Sequence, residues 1–500
     1  MHINPLQAAL EIEQFIEDRQ KQALITAETI VPGAGREGIY PLISDATLVI
    51  LNAQLQNGQA LIDGLVICQA LYRRAEETAL SALTATGKLS QIIDIDQAKP
   101  GQILRALGQI DHVEANYENG HMIFRVAVTL DAHVSELAPL NVIKDIEDMA
   151  GIEKHFTQLT INKLAAEAQS QALLQQRVTL PPELDARIAL MDAAEARILS
   201  VQPDLGGVRI KGEVLTETLI GTGTSGRPIA RITVALPFDE LIELPEWLSA
   251  HVLCDANIMR LQTQVIEGMA DQAGTLSIEC ELQLTTRAMA EEQLNVLEDA
   301  FSTGAEGIHV EQACHQLKSG VAQFEGVESF HGSVMLPPDA MGTVTILCVR
   351  ARPILGDYQS TQAQTTLNGI LEVQVLYQHQ QEALARVLKE DLPFSIQMPV
   401  ALPEGALICL SALGAESGAV MGDRLEIKSR IKICAEYRQV QTLVIAESIE
   451  NMGPQPRREG ILLTWPKPKD SAWSIAKKYR IPNATVALAM QDQKPLVLRL

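Results

Sequence analysis

The chain has 500 residues, enough for about three or four domains of ordinary size, and 47% of them are hydrophobic against 20% charged, which excludes a disordered polymer. Forty basic residues against 62 acidic ones leave a net charge of −22 and only 4% are aromatic, which excludes a nucleic-acid binder built on a basic footprint or on base-stacking platforms. No run of eighteen apolar residues spans a bilayer, the N-terminus lacks an export signal, and seven cysteines without a Cys-x-x-Cys pair suit a reduced cytosolic protein.

Taken in chain order, the same marks recur three times. An apolar run ends at Thr29-Ile-Val-Pro32, a glycine-led alternating strand follows at Gly64-Leu-Val-Ile-Cys-Gln-Ala-Leu-Tyr72, and Asn57-Gly58 and Asn119-Gly120 sit between strand-like runs as type I′ turns. Phe124, Val126, Val128 and Leu130 then alternate with the two-residue period of a half-buried strand. The second copy has Val178-Thr-Leu-Pro181, Gly212-Glu-Val-Leu-Thr216, Leu236-Pro-Phe238 and the alternation Leu276, Ile278, Cys280, Leu282, Leu284. The third has Val334-Met-Leu-Pro337, Gly369 to Tyr377, Leu392-Pro-Phe394 and the alternation Leu425, Ile427, Ile431, Ile433, Ala435, Tyr437. Proline to glycine measures 32, 31 and 32 residues, and successive prolines lie 149 and 156 residues apart. That period is too long for a solenoid, so each copy reads as a whole antiparallel β-sandwich-like module. The first copy lacks the Leu-Pro-Phe mark and has diverged. Helical pattern is confined to connectors near Leu164–Gln175 and Ala290–Ala300.

The composition changes after residue 450. Residues 451–460 form a Pro/Gly linker, and residues 461–500 hold seven basic residues against two acids, +5 on a body left at −27. A strand at Ile461-Leu-Leu-Thr-Trp465, a capped helix with the stripe Trp473, Ile475, Ala476, Tyr479, a second helix from Asn483 and a strand at Leu496-Val-Leu-Arg-Leu500 give a β-α-α-β plan. The candidate contact residues are Lys467, Lys469, Asp470, Ser471, Arg480 and Ile481 in exposed loops, with Trp473 read either as core or as a binding wall.

Other constellations carry little. Gly221-Thr-Gly-Thr-Ser-Gly226 fits a dinucleotide fingerprint, but a strand rather than a helix follows it, so it reads as a hairpin loop. Cys314-His315 with His309 and His331 lacks zinc spacing, and His112, His121 and His133 read as surface residues. Acid pairs such as Glu11/Glu13 and Glu291/Glu292 read as solvated faces. Neither a nucleophile elbow nor a P-loop occurs, so no enzyme, cofactor or metal is expected.

The tail resembles the LysM domain through Asp470, Trp473, Ile475, Ala476 and Tyr479, and the repeated modules resemble the SPOCS domain, copies two and three more closely than copy one. Three copies followed by one C-terminal LysM are similar to the clostridial SipL-type family of spore-coat morphogenetic proteins. The resemblance implies modules at 1–140, 141–290 and 291–450, a linker at 451–460 and a LysM domain at 461–500. It implies a non-enzymatic scaffold in the mother-cell cytoplasm that assembles at the forespore surface. The LysM domain would dock on the coat morphogenetic ATPase and the β modules on other coat proteins. The alternative is a LysM anchor on peptidoglycan, an N-acetylglucosamine polymer.

Overall fold

A computed structural model describes residues 4–499 apart from 34–37, 76, 148–150, 224–227, 245–249, 267–273, 339–343, 380–383, 457–459, 468–469 and 493–495. The protein is mainly β, and its strands fall into repeated sets of six. The first set is β1 (Pro5–Ile30), β2 (Ile39–Gln56), β3 (Gln59–Arg74), β4 (Leu80–Asp94), β5 (Ile103–Glu118) and β6 (His121–Ile146). The second is β7 (Ile152–Thr179), β8 (Ala186–Asp204), β9 (Gly207–Thr222), β10 (Ile229–Glu243), β11 (Ala250–Ile266) and β12 (Thr275–Ser302). The third is β13 (Glu306–Met335), β14 (Val344–Ser360), β15 (Thr365–His379), β16 (Ala385–Met398), β17 (Leu407–Met421) and β18 (Arg424–Pro454).

Each set makes two antiparallel three-stranded sheets of one topology. The first, sixth and fifth strands form one sheet with the sixth central (β1-β6-β5, β7-β12-β11, β13-β18-β17), and the second, third and fourth form a meander. One apolar cluster joins the two sheets of each set: in the first, Ile25 and Ala27 meet Val66, Cys68 and Leu89 with Phe124, Val126 and Val128. The alternating residues read from sequence are these inward faces, and the prolines 32, 181 and 337 follow the ends of β1, β7 and β13.

The glycine mark has a mechanical cause. Gly64, Gly212 and Gly369 lie opposite Ile50, Ile198 and Leu355, where β2, β8 and β14 each carry a β-bulge. A Cβ there would lie 2.4, 2.3 and 2.2 Å from the carbonyl oxygens of Val49, Arg197 and Ile354. The Leu-Pro-Phe mark covers the same spot from the other side, since Phe238 pairs with Gly212 and Phe394 with Gly369. The aromatic ring fills the space that the missing side chain leaves. Both prolines lie on edge strands, β10 and β16, where a lost donor is tolerated. Leu89 takes the place of the phenylalanine opposite Gly64.

The expectations of helices and of a type I′ turn at Asn57-Gly58 fail here. The stretches near Leu164–Gln175 and Ala290–Ala300 are strands, not helices: both belong to the long β7–β12 ladder, from Thr179↔Thr275 to Ile152↔Ser302. Their Ala/Gln/Glu-rich composition favours a helix locally, but the partner strand supplies hydrogen bonds and packing that outweigh a few tenths of a kcal/mol per residue. At the expected turns, Asn119 and Gly120 both take positive φ (51° and 87°) as type I′ requires, whereas at Asn57-Gly58 only Gly58 does (76°). The region expected to be a linker from residue 451 begins inside β18, which pairs as far as Glu306↔Pro454.

The outer strands outrun their sheets. The β5 ladder stops at Ile103↔Ser135, so Pro5–Gln14 and Glu136–Ile146 continue as a two-stranded ribbon, and β7–β12 and β13–β18 do the same. The three ribbons share two apolar clusters: Leu10, Ile12, Leu140, Val142, Leu159, Ile161, Val296, Leu317, Leu443 and Ile445, and a smaller one around Ile143, Leu297, Val310 and Ala446. The meander sheets meet one another as well, through equivalent cross-strand pairs Ile43/Leu71, Met191/Leu219 and Cys348/Leu376. Beside them the side chain five positions after each marker glycine reaches the next copy. The Gln69 Oε1 accepts from the Asp192 N–H (2.9 Å), Glu217 pairs with Arg350 (3.0 Å), and Gln374 accepts from the Ser44 N–H (3.2 Å) and donates to its carbonyl (3.0 Å). First to second, second to third and third to first is a closed heterologous ring, here made within one chain.

A buried ionic cluster joins the same three sets. Glu13 meets Arg438 (2.9 Å) and Arg105 (3.9 Å), Glu436 meets Arg105 (2.6 Å) and Arg287 (2.7 Å), and Arg287 also meets Asp255 (2.9 Å). Glu13, expected on a solvated face, is 1% exposed, and His133, expected at the surface, is buried. Burial pushes the Glu13 and Glu436 carboxyls up, but the facing arginines outweigh it and hold both below their ordinary value.

Candidate docking site

The tail is built as the sequence suggests in outline: β19 (Ile461–Thr464), α1 (Ala472–Tyr479), α2 (Asn483–Asp492) and β20 (Leu496–Arg499), with β19 and β20 paired antiparallel. Ser471 caps α1 in a reciprocal box with Ser474: each side-chain oxygen accepts from the other's backbone N–H, at 3.1 and 3.0 Å. Arg480 ends the helix in the left-handed region at φ 57°, and Pro482 blocks its continuation. Ile475, Ala476, Ile481, Val486, Leu496 and Leu498 form the tail's core.

The tail sits on the end of the β7–β12 ribbon and the chain that follows it. Asp299, 5% exposed on β12, accepts from Trp473 Nε1 (2.9 Å) and from Lys477 Nζ (2.6 and 2.7 Å). The Trp473 ring stacks on His155 (4.9 Å between centroids, 26°) and meets Phe301 edge-on (4.9 Å). Phe301 itself belongs to the tail's core cluster. Arg480 donates to the carbonyls of Ser302 (2.9 Å), Gly304 and Glu306 (3.3 Å). The body is acidic and this face of the tail is basic, so the charge split read from sequence is partly satisfied within the chain.

The candidate residues therefore divide. Trp473 is neither pure core nor a free wall, because the chain's own body covers it; Arg480 is occupied by backbone carbonyls of the body. Ile481, expected in an exposed loop, is 3% exposed. Asp470 closes a small turn, accepting from the Lys467 N–H (2.8 Å), and Ser471 is exposed but serves as the helix cap. Lys467 is exposed, and Lys469 lies outside the described residues.

What the sequence reading missed is the opposite face of the tail. Ile461 (78% exposed), Leu463 (49%) and Trp465 (62%) alternate along β19 and its continuation, and Val497 (63%), the ladder partner of Leu463, joins them. Exposed tryptophan flanked by aliphatic side chains is typical of an interface anchor. The signal was present in residues 461–465, where Ile461, Leu463 and Trp465 make one apolar row of a period-two strand.

Other candidates are dispersed. Thr224–Arg227 lie outside the described residues; β9 and β10 pair on either side of the glycine motif (Ile229↔Gly221), so the described element that follows it is a strand and not the helix that a pyrophosphate site uses. Cys314 and His315 are successive residues of β13 and face opposite ways; His315 lies 3.5 Å from Glu447, and His309 and His331 are exposed. Among the described residues no cluster of three metal-ligating side chains occurs, and no helix is long and apolar enough to cross a membrane. A cavity of about 810 Å³ lies between the three sets, lined among others by Asp45, Gly108, Glu217, Arg350, Cys409 and Arg430.

No curated protein and no solved structure matches the chain. Residues 42–118, from β2 through β5, match the family model described as SipL, SPOCS domain; the match falls on the first copy, the one read as most diverged, and makes that stretch SPOCS-like.

Proposed function

We propose that the chain is a non-enzymatic scaffold of spore-coat assembly in the mother-cell cytoplasm, assembling at the forespore surface. Three SPOCS-like β-sandwich modules and a LysM-like tail are its working parts. The observation that carries this reading is the SPOCS match on β2 through β5 of a six-strand unit that occurs three times and closes into one ring. A ring locked by ribbons, paired meanders and a buried ionic cluster is a rigid platform, and rigid platforms suit the presentation of several protein contacts at fixed spacing.

In this reading the tail docks on the coat morphogenetic ATPase through Ile461, Leu463, Trp465 and Val497, with exposed Lys467 at the rim, while the β modules hold other coat proteins. Truncation at residue 460 would uncover Asp299 and Phe301, so substitution in the full chain is the cleaner test. Immobilised parent protein should retain the purified ATPase, and L463S/W465S should lose retention at least tenfold with an unchanged circular dichroism spectrum. Retention of purified peptidoglycan with no ATPase would overturn the reading in favour of a glycan anchor.

A further inference from the structure

Cys409 on β17 and Cys434 on β18 stand directly opposite each other in the antiparallel ladder. Opposed residues of such a pair have Cα atoms about 4.5–5.5 Å apart with side chains on one face, inside the window of about 4.4–6.8 Å that a disulfide spans. Their neighbours Ile408, Leu410, Ile433 and Ala435 turn the other way, into the core of the third set. Both thiols therefore leave that core on the side where Lys432 reaches Glu195 (3.0 Å) and the Ala196 carbonyl (2.8 Å) of the second set. Cys409 is exposed and lines the central cavity, Cys434 is half-buried beside it, and both are free thiols.

We propose that Cys409 and Cys434 form a redox-modifiable site that a peroxide-class oxidant closes to a cross-strand disulfide. The exposed Cys409 thiolate attacks a peroxide oxygen: an S–O bond forms, the O–O bond breaks, and the leaving hydroxide takes a proton to depart as water. The Cys434 sulfur then attacks the resulting sulfenic sulfur, forming S–S and breaking S–O, and the second oxygen leaves as water with the Cys434 proton. Two thiols lose two electrons in all, and the peroxide is reduced to two waters. Cys409 is open to the cavity yet surrounded by protein, and that desolvation raises its thiol to about 11, with Glu195 adding to it; burial raises Cys434 to about 12. At neutral pH the thiolate fraction is small, so the pair stays reduced in passing oxidant and closes under sustained or alkaline exposure. Closure would tie β17, an edge strand with two bulges, to the central strand of its sheet.

The test treats the native full chain with hydrogen peroxide at pH 7 and pH 9, unfolds it, counts thiols and maps non-reduced peptides. The seven thiols should fall to five, with the loss mapped to a peptide linking residues 409 and 434, and closure should be on the order of a hundredfold faster at pH 9. C434S should form no disulfide and should leave Cys409 as a sulfenic acid trapped by dimedone. Seven thiols remaining at pH 9, pairing between other cysteines, or the same two-thiol loss in C434S would each overturn the proposal; the wild-type peptide map decides even if the variant misfolds.

Discussion

Glu436→Gln should destabilise the protein by about 3 kcal/mol, because one carboxylate holds two guanidinium groups from two other copies. Glu436 accepts from Arg105 Nη1 at 2.6 Å and from Arg287 Nη2 at 2.7 Å, and its side chain is 16% exposed. At an effective dielectric of about 20, each close pair is worth about 4 kcal/mol of Coulomb attraction before desolvation is subtracted. Breaking such a buried pair by removing one partner costs about 3–5 kcal/mol, since the other charge stays behind. Glu13 and Asp255 still face Arg105 and Arg287, which places the loss near the lower end. The assay is urea denaturation followed by far-UV circular dichroism, comparing the midpoint of the first transition, since a chain of three units need not unfold in one step. Glu281→Gln, which breaks the exposed Arg260–Glu281 pair at 3.4 Å, is the control and should cost no more than about 1 kcal/mol. Equal effects of the two substitutions would refute the argument that the cluster holds the ring together. The same assay run against pH has a definite sign. Folded values of Glu13 and Glu436 are depressed, so their contribution is fully present above the unfolded value near 4.5 and is lost as pH falls through the folded values. Asp255 works the opposite way, because burial raises its value. Glu436→Gln should accordingly flatten the loss of stability below about pH 4.5.

Gly369→Ala should cost about 2–3 kcal/mol in the same denaturation assay, because its Cβ would lie 2.2 Å from the Ile354 carbonyl oxygen and 2.6 Å from the Phe394 ring. Gly58→Ala, at an open turn with φ 76°, should cost only about 1 kcal/mol; a larger loss there than at Gly369 would contradict the bulge explanation. Asp299→Asn should loosen the tail by about 1.5–3 kcal/mol, seen as a red shift of Trp473 emission and faster amide exchange in α1 with the β spectrum unchanged. An unmoved exchange pattern would mean that Phe301 packing alone holds the tail.

The sequence by itself determined the marker strands and their threefold order. Alternating side chains must take opposite faces of a pleated strand, so Phe124 to Leu130, Leu276 to Leu284 and Leu425 to Tyr437 could be read as the inward rows that they are. The constant interval from proline to glycine was legible because each glycine faces a bulge that no side chain can enter. Local chemistry also set the tail's plan, through the Ser471 cap and the Pro482 stop. Only the tertiary structure decided the rest. It turned Ala/Gln-rich stretches of β7 and β12 into strands by giving each the other as partner. It joined Gln374 to Ser44 across 330 residues, buried Glu13 between arginines from β5 and β18, and set Asp299 under Trp473 and Lys477. None of these contacts has a period or a motif, since a hydrogen bond between residues hundreds of positions apart imposes no spacing on either segment. What a face of the tail is free to bind was decided the same way, by which side the body already covers.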